Sequence, residues 1–397
     1  MNDIKKGILG EFILDIKGGG TPSRDIKEYW GGEIPWASVK DLTCTQPQFT
    51  EENITHKGLK SSASRLIPKG IPVMATRMAV GRTAVFKTDV AINQDLKAIF
   101  PNPKLLDKDY LFHTLVANEK NLYSKGIGST VKGIRVEDLE KLPIVLPPLP
   151  EQRRIAEVLS GIDQSLLKIK NYLEKLYLIK EQVVLNLLQV EPSNKTLEDF
   201  GFNVLDGDRG KAYPRESDLK QTGDCLFLSA RNVTIKGFNF SENQFISKKR
   251  DEEMRKGRLE KGDLVITTRG SLGHIAHFND YVPFKKLRIN SGMAIIRSVN
   301  SRDLLKENFL KELLFSRIIQ DQIKDLAFGT AQNQLTLSIL RKIKIPVLGS
   351  KRMRYVVNFS NTFSKFISSY ELYFEKLKLL NQGIACELLS GQKRVVI

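Results

Sequence analysis

Cysteine is scarce in this chain. Its 397 residues hold only Cys44, Cys225 and Cys386, too few, too scattered and odd in number to organise a disulfide framework or a zinc knuckle. Long apolar runs are missing as well. Nowhere do 18 apolar residues follow one another, and Met1-Asn2-Asp3-Ile4-Lys5-Lys6-Gly7 leads into no apolar stretch. A membrane-spanning helix and a secretory leader are therefore not expected, and the chain reads as cytoplasmic with no membrane contact.

Acidic residues are in deficit, with 45 Asp and Glu against 62 Lys and Arg, a net charge of +17 and a pI near 9.6. Such a surplus favours polyanions, with nucleic acid first among them. Neither end carries a basic amphipathic segment that would favour an anionic membrane instead. Catalytic signatures are absent too. No Gly-x-x-x-x-Gly-Lys-Ser/Thr loop occurs, which argues against a built-in ATPase. The only adjacent prolines, Pro147-Pro148, follow Leu146, so the Asn-Pro-Pro-aromatic signature of an adenine methyltransferase is missing. In His274-Ile275-Ala276-His277 a strand-like run sends the two histidines to opposite faces, which makes a poor metal clasp. Gly18-Gly19-Gly20 and Gly126-Ile127-Gly128 read as turns rather than nucleotide loops, and no metal or cofactor is expected in this chain.

What is present is written twice. Lys69-Gly70-Ile71-Pro72-Val73-Met74-Ala75-Thr76-Arg77 with Gly81 answers Lys261-Gly262-Asp263-Leu264-Val265-Ile266-Thr267-Thr268-Arg269 with Gly273. Ser38-Val39-Lys40-Asp41 answers Ser229-Ala230-Arg231-Asn232, Ile92-Asn93 answers Ile289-Asn290, and Gly128-Ser129-Thr130 answers Gly329-Thr330-Ala331. The period is far longer than the 20 to 50 residues or so of a repeat array, so a whole domain is duplicated. Short strands are expected at 34–38, 72–75 and 84–86, and again at 225–228 and 263–267. Helical patches are expected over 108–119 and 304–323.

After each domain the period becomes helical. Ile155, Leu159, Ile162, Leu166, Ile169, Leu173 and Leu176 are spaced alternately by four and three, a heptad seam that Lys180 interrupts and that Pro192 ends. A second seam runs through Val356, Phe359, Phe363, Phe366, Tyr370, Tyr373, Leu377, Leu380 and Ile384, with Gly391 as its stop. Each helix is expected to span about 34 residues, or roughly 50 Å. Neither can bury its stripe alone, and the simplest partner is the other helix, antiparallel if a pseudo-twofold relates the copies.

At this point the residues resemble the specificity (S) subunit of Type I restriction-modification systems. The resemblance is carried by Leu146-Pro147-Pro148-Leu149-Pro150-Glu151-Gln152-Arg153-Arg154-Ile155-Ala156 at the entry to the first helix, and by Gly18-Gly19-Gly20-Thr21-Pro22-Ser23 with Ile34-Pro35-Trp36. It covers nearly the whole chain, although the second copy reads Val347-Leu348-Gly349-Ser350-Lys351-Arg352 where the first has its proline motif. It implies an α+β fold of two pseudo-symmetric α/β target-recognition domains separated by two long antiparallel coiled-coil helices. The implied boundaries are 1–150 and 191–349 for the domains, and 151–190 and 350–397 for the helices. It further implies a non-catalytic subunit that reads double-stranded DNA as a bipartite target, with the helices as the ruler between half-sites. Two methyltransferase (M) subunits would dock on the helices and motor-nuclease (R) subunits would join, with S-adenosylmethionine, ATP and Mg used by those other subunits.

Arginine is shaped for both phosphate and base edges, so Arg77 and Arg269, at matching places after a strand, lead the candidates for DNA contact. Arg82, Lys40 and Arg231 follow, then Lys132, and the amides Gln332 and Asn333 as possible adenine readers. The same residues could form ion pairs within their domains or solvated turns. A stand-alone endonuclease and a structural two-lobed adaptor stay open as other readings.

Overall fold

The computed structural model describes residues 4–126, 132–189, 195–299, 303–328 and 334–395. The chain divides into two compact units, one formed by residues 1–171 and 372–397 and the other by residues 172–371.

In the first unit Ile13–Gly18, Leu96–Pro101, Pro72–Ala75 and Thr83–Val85 form an antiparallel sheet in that order. A second sheet orders Glu52–Ile54, Trp30–Ala37, Val90–Ile92 and Arg65–Ile67, with Trp36–Ala37 running parallel to Ala91–Ile92. The other unit repeats the plan with Phe202–Asp206, Met293–Ser298, Leu264–Thr267 and Ile275–His277 in one sheet. Its second sheet orders Phe245–Ile246, Cys225–Leu228 and Leu287–Ile289, again with the last pair parallel. The duplication read from the sequence is thus a duplication of topology. The helical patches are each split in two. Lys108–Ala117 gives way at Asn118 to Glu119–Lys125, and Leu304–Phe315 is separated from Arg317–Phe328 by Ser316, whose backbone is extended (φ −72°, ψ 153°).

The two long helices, Leu149–Leu188 and Ser350–Leu389, have 40 residues each, or about 60 Å, rather than 34. The first starts upstream of Glu151 because Pro150 falls in its opening turn, where no intrahelical N–H is needed. Gly391, in the left-handed region at φ 73°, closes the second. Among the described residues no helix is long and apolar enough to cross a membrane.

Within each unit the two helices pair antiparallel. In the first, Asn381 donates to Asp163 at 2.9 Å, and Arg394 holds Glu151 at 2.7 and 2.6 Å. In the second, the Tyr177 hydroxyl donates to Glu371 at 2.6 Å, and Arg352 donates to the Leu187 carbonyl at 2.9 Å. The proline motif of the first junction has a physical reason. Glu151 and Gln152 are buried, and Gln152 ties Leu105, Pro147 and Asp107 together through 2.8–2.9 Å hydrogen bonds. The second junction dispenses with that clasp, and Arg352 caps the C-terminal carbonyls of Leu187 and Gln189 instead.

Along the first helix Ile155, Leu159, Leu173 and Leu176 are buried, and Ile162, Leu166 and Ile169 half-buried. Along the second, the seam shifts at alternate positions. Phe363, Tyr370, Leu377 and Ile384 lie partly covered, but Phe366, Tyr373 and Leu380 are 41%, 53% and 58% exposed, and Phe359 is only half-buried. The inward places next to them go to Ser360, Ile367, Phe374 and Asn381. Two of these four are polar, which hides them from a reading based on hydrophobicity, and both find polar partners.

Asn381 finds Asp163 on the facing helix, whereas the partner of Ser360 comes from the globular part. The buried Ser360 hydroxyl donates to Glu312, whose other oxygen lies 2.8 Å from the Lys311 ammonium, and Lys180 lies 3.6 Å away. Lys180, which breaks the first seam, is therefore a counter-ion of a buried carboxylate, second to Lys311. In the first unit Ser160 lies 3.0 Å from the His113 ring, and Asp163 is 3.7 Å from it. Burial brings His113 down to about 4, so the ring is neutral and the contact is a hydrogen-bonded rather than an ionic one.

Burial by itself would raise the Glu312 carboxyl, but Lys311 and Lys180 outweigh it and hold the group below its ordinary value. Its stabilising contribution is then fully present above about 4.5, the ordinary glutamate value, and is lost as pH falls through the lower folded value. Lys180→Met should cost about 1–3 kcal/mol at pH 7, a drop of several degrees in melting temperature. The deficit relative to wild type should shrink as pH falls below about 4.5 and Glu312 protonates. Thermal melts of both proteins between pH 3 and 8 check this; a deficit independent of pH would contradict it.

Candidate nucleic-acid interface

The best candidates of the sequence lie on one loop that occurs in both units. In the first, strand Pro72–Ala75 runs into Thr76, whose N–H donates to the Asp95 carbonyl at 2.8 Å while its own carbonyl accepts from Ile134 at 2.9 Å. Gly81, at φ 87°, donates back to Ala75 at 3.0 Å. In the second, Thr268 donates to the Gly292 carbonyl at 2.8 Å and accepts from Leu335 at 3.0 Å, and Gly273 at φ 75° donates to Thr267 at 3.0 Å. Identical backbone bonds therefore present Arg77 and Arg269 from the same place. Both are exposed; Arg77 lies 3.9 Å from Asp95, and Arg269 has no ion pair among the described residues.

Arg77 borders a polar cleft with Thr76, Gln94, Lys97, Arg135 and Lys141, opposed by Glu137 and Asp138. Lys97 is half-buried, and its ammonium is held below the usual lysine range, first by burial and then by the Arg77 charge. A half-buried ammonium beside a guanidinium, with Asp95 only partly offsetting the penalty, gains from a bound anion. The loop is also strained: Met78 has φ 63°, and Ala79 N–H donates to the Arg77 carbonyl across it at 2.7 Å.

Lys40 and Arg231 also occupy equivalent places, each on a tight turn capped by its preceding serine. Ser38 N–H donates to Asp41 at 2.8 Å, and Ser229 N–H to Asn232 at 2.9 Å. The change from Asp to Asn follows the surroundings. The free Asp41 oxygen accepts from Glu51 N–H, whereas the Asn232 amide donates to the Asn239 and Glu242 carbonyls at 3.0 and 2.8 Å. Lys40 is exposed, and Arg231 is held by Glu242 at 2.7 Å in a pair exposed on both sides. Arg231 lines a second polar cleft with Gln221, Ser241, Asn243 and Gln244.

The remaining candidates are less gathered. Arg82 donates to the Leu42 carbonyl at 3.4 Å, and the Lys132 ammonium stands 4.2 Å from the centre of the Tyr123 ring. Gln332 and Asn333 lie outside the described residues, as do Gly128-Ser129-Thr130 and Gly329-Thr330-Ala331. Sequence reasoning did not reach Gln94, Lys97 and Arg135 in the first cleft or Gln221, Asn243 and Gln244 in the second. In Leu96-Lys97-Ala98 the alternation signals only an outward lysine on a strand. No group of three or more His, Cys, Asp or Glu placed to hold a metal occurs among the described residues.

Comparison with known proteins agrees with this arrangement. Residues 1–176 and 193–347 match the family described as the Type I restriction modification DNA specificity domain, once for each copy. The specificity subunit of the Type I restriction enzyme MjaIX of Methanocaldococcus jannaschii is 31% identical over 260 residues, 64% of this chain and 59% of that one. The MjaVIII subunit of the same organism is 23% identical over 408 residues, covering 98% and 92%. The EcoR124I/EcoR124II subunit of Escherichia coli is 34% identical over 162 residues, covering 39% and 40%. The chain thus spans about three fifths and two fifths of the lengths of the MjaIX and EcoR124I/EcoR124II subunits. Among solved structures, the Type I S subunit from M. genitalium aligns with a TM-score of 0.56 at 16% identity, covering 98% of this chain and 96% of that one. A chain from a study of complex assembly and conformational transition of the type I R-M system aligns with a TM-score of 0.61 at 16% identity, covering 98% of each. At that identity the likeness concerns the fold. The two matched copies together take in most of the sequence, and this chain belongs to the family of Type I restriction-modification DNA specificity subunits.

Proposed function

We propose that this chain is the non-catalytic, DNA-reading subunit of a cytoplasmic Type I restriction-modification enzyme, each unit reading one half of a bipartite duplex target. The observation that carries the reading is the arginine-bearing loop built twice with the same backbone bonds, once per unit, on a protein of net charge +17. Two copies of one reading device, with different side chains around them, suit a target of two unlike halves. The first cleft, where Lys97 is depressed by burial and by Arg77, supplies the attraction for phosphate.

The exposed apolar side chains of the long helices support docking of two methyltransferase subunits. Leu167, Leu178 and Ile179 on the first helix, and Leu372, Tyr373 and Leu379 on the second, are between 45% and 65% exposed. Motor-nuclease subunits complete the restriction enzyme. S-adenosylmethionine, ATP and Mg serve chemistry on those other subunits, and this chain supplies the address.

Selection from a random duplex pool, with the methyltransferase subunit present, should enrich a bipartite motif. Enrichment of no motif would refute the reading, and cleavage by the isolated chain with Mg would replace it with an endonuclease. Arg77→Ala and Arg269→Ala should each weaken binding roughly tenfold at about 0.15 M salt. A phosphate role lowers the salt slope by about one unit and leaves the motif unchanged, whereas a base role relaxes one position, in one half-site for Arg77 and in the other for Arg269.

Adding one heptad to both long helices, after Asn171 and after Glu371, preserves their seams and lengthens each by about 10 Å. The enriched spacer should grow by about three base pairs while both half-sites stay the same. An unchanged spacer would refute the ruler.

A further inference from the structure

One side chain on the repeated loop has no explanation within the fold. Met78 sits at φ 63°, and among the described residues it is the only one other than glycine in the left-handed region. The conformation is imposed from both sides, because Met78 N–H donates to the Lys132 carbonyl at 3.1 Å and Ala79 N–H to the Arg77 carbonyl at 2.7 Å. In the second unit the equivalent residue is Gly270, at φ 71°. A glycine adopts this backbone freely, whereas an L side chain is strained there.

Internal packing does not compensate for that strain. The Met78 side chain is 66% exposed and belongs to none of the hydrophobic clusters of its unit. An apolar group is therefore held out to solvent on a strained backbone, next to Arg77 at the edge of the cationic cleft. Strain that survives where a glycine would relieve it indicates a contact outside the fold. A thioether carries no donor for phosphate. Beside a phosphate-attracting arginine it can engage only apolar surface, which on a duplex means a base face or the thymine methyl group.

We infer that Met78 is a specificity-determining residue, which makes an apolar contact with a base in the half-site read by the first unit, a contact that the second unit lacks at Gly270. The inference rests on the DNA-reading function proposed above. It makes the two units unlike in mode as well as in sequence.

The test uses the full chain with its methyltransferase subunit and compares wild type with Met78→Gly, Met78→Asn and Met78→Leu. Glycine and asparagine both accept the left-handed backbone, so these two variants should melt no lower than wild type. Each should bind the wild-type target on the order of tenfold more weakly, the effect of losing one buried methionine contact. In pool selection each should lose its preference at one or two adjacent positions of one half-site only. Met78→Leu keeps an apolar side chain and should retain that preference. A wild-type complex that enriches a bipartite motif, beside a Met78→Gly complex that matches it position for position, overturns the inference alone. Weakened methyltransferase binding with unchanged DNA selection also overturns it, since the contact would then be to protein. A wild-type complex that enriches nothing overturns the function beneath it.

Discussion

Neither long helix can bury its apolar stripe alone, and each unit solves this by holding part of one helix antiparallel to part of the other. Residues 149–171 and 372–389 close the first unit, and residues 172–188 and 350–371 close the second. What fixes that closure is polar. Ser160 reaches His113 while Asp163 is held by Asn381 in one unit; Ser360 reaches Glu312 beside Lys180 in the other. Apolar seams slide by a heptad at small cost, whereas moving Lys180 and Ser360 away from Glu312 takes one of its two cations and a hydrogen bond from a buried carboxylate, at about 1–3 kcal/mol. The two clusters also differ in chemistry. A neutral histidine cannot replace Glu312 as the partner of Lys180, so each globular part is matched to its own helical segments.

The loops depend on the same rigidity. Thr76 and Thr268 leave their strands with equivalent backbone bonds, and Gly81 and Gly273 return the chain with the same left-handed turn. A backbone pinned this way tolerates exchange of the side chains it presents. Asp41 and Asn232 illustrate this: one caps its turn and takes an N–H, the other caps the same turn and supplies two donors. The framework is repeated and the chemistry around it changes.

This division explains what could be read from the sequence. Duplication, the strand-loop-Arg motif and the two helices are local patterns, set by spacing and by glycines that the backbone requires, and they appear in the chain as written. The second seam was legible at Phe363, Tyr370 and Leu377 but not at Ser360 and Asn381. A polar residue turned inward is indistinguishable from a surface one until its partner is known, and those partners lie 48 and 218 residues away. The clefts were illegible for the same reason. Thr76, Gln94, Lys97 and Arg135 come from three separate segments, and only the pairing of strands 72–75 and 96–101 brings two of those segments together.

The half-buried Lys97 beside Arg77 shows which way the energetics of such a site run. A half-buried ammonium beside a guanidinium is disfavoured in the unbound protein, by burial first and by the neighbouring charge second. Phosphate oxygens would remove the second penalty and offset part of the first, so the unfavourable term present in the free chain becomes favourable on binding. Asp95, 3.9 Å from Arg77, also acts on Lys97 and limits the cost in the meantime, but its pull is smaller than the combined penalty of burial and the Arg77 charge. The fold thus holds an arrangement of charge that is poorly satisfied internally, on a backbone rigid enough to keep it from relaxing.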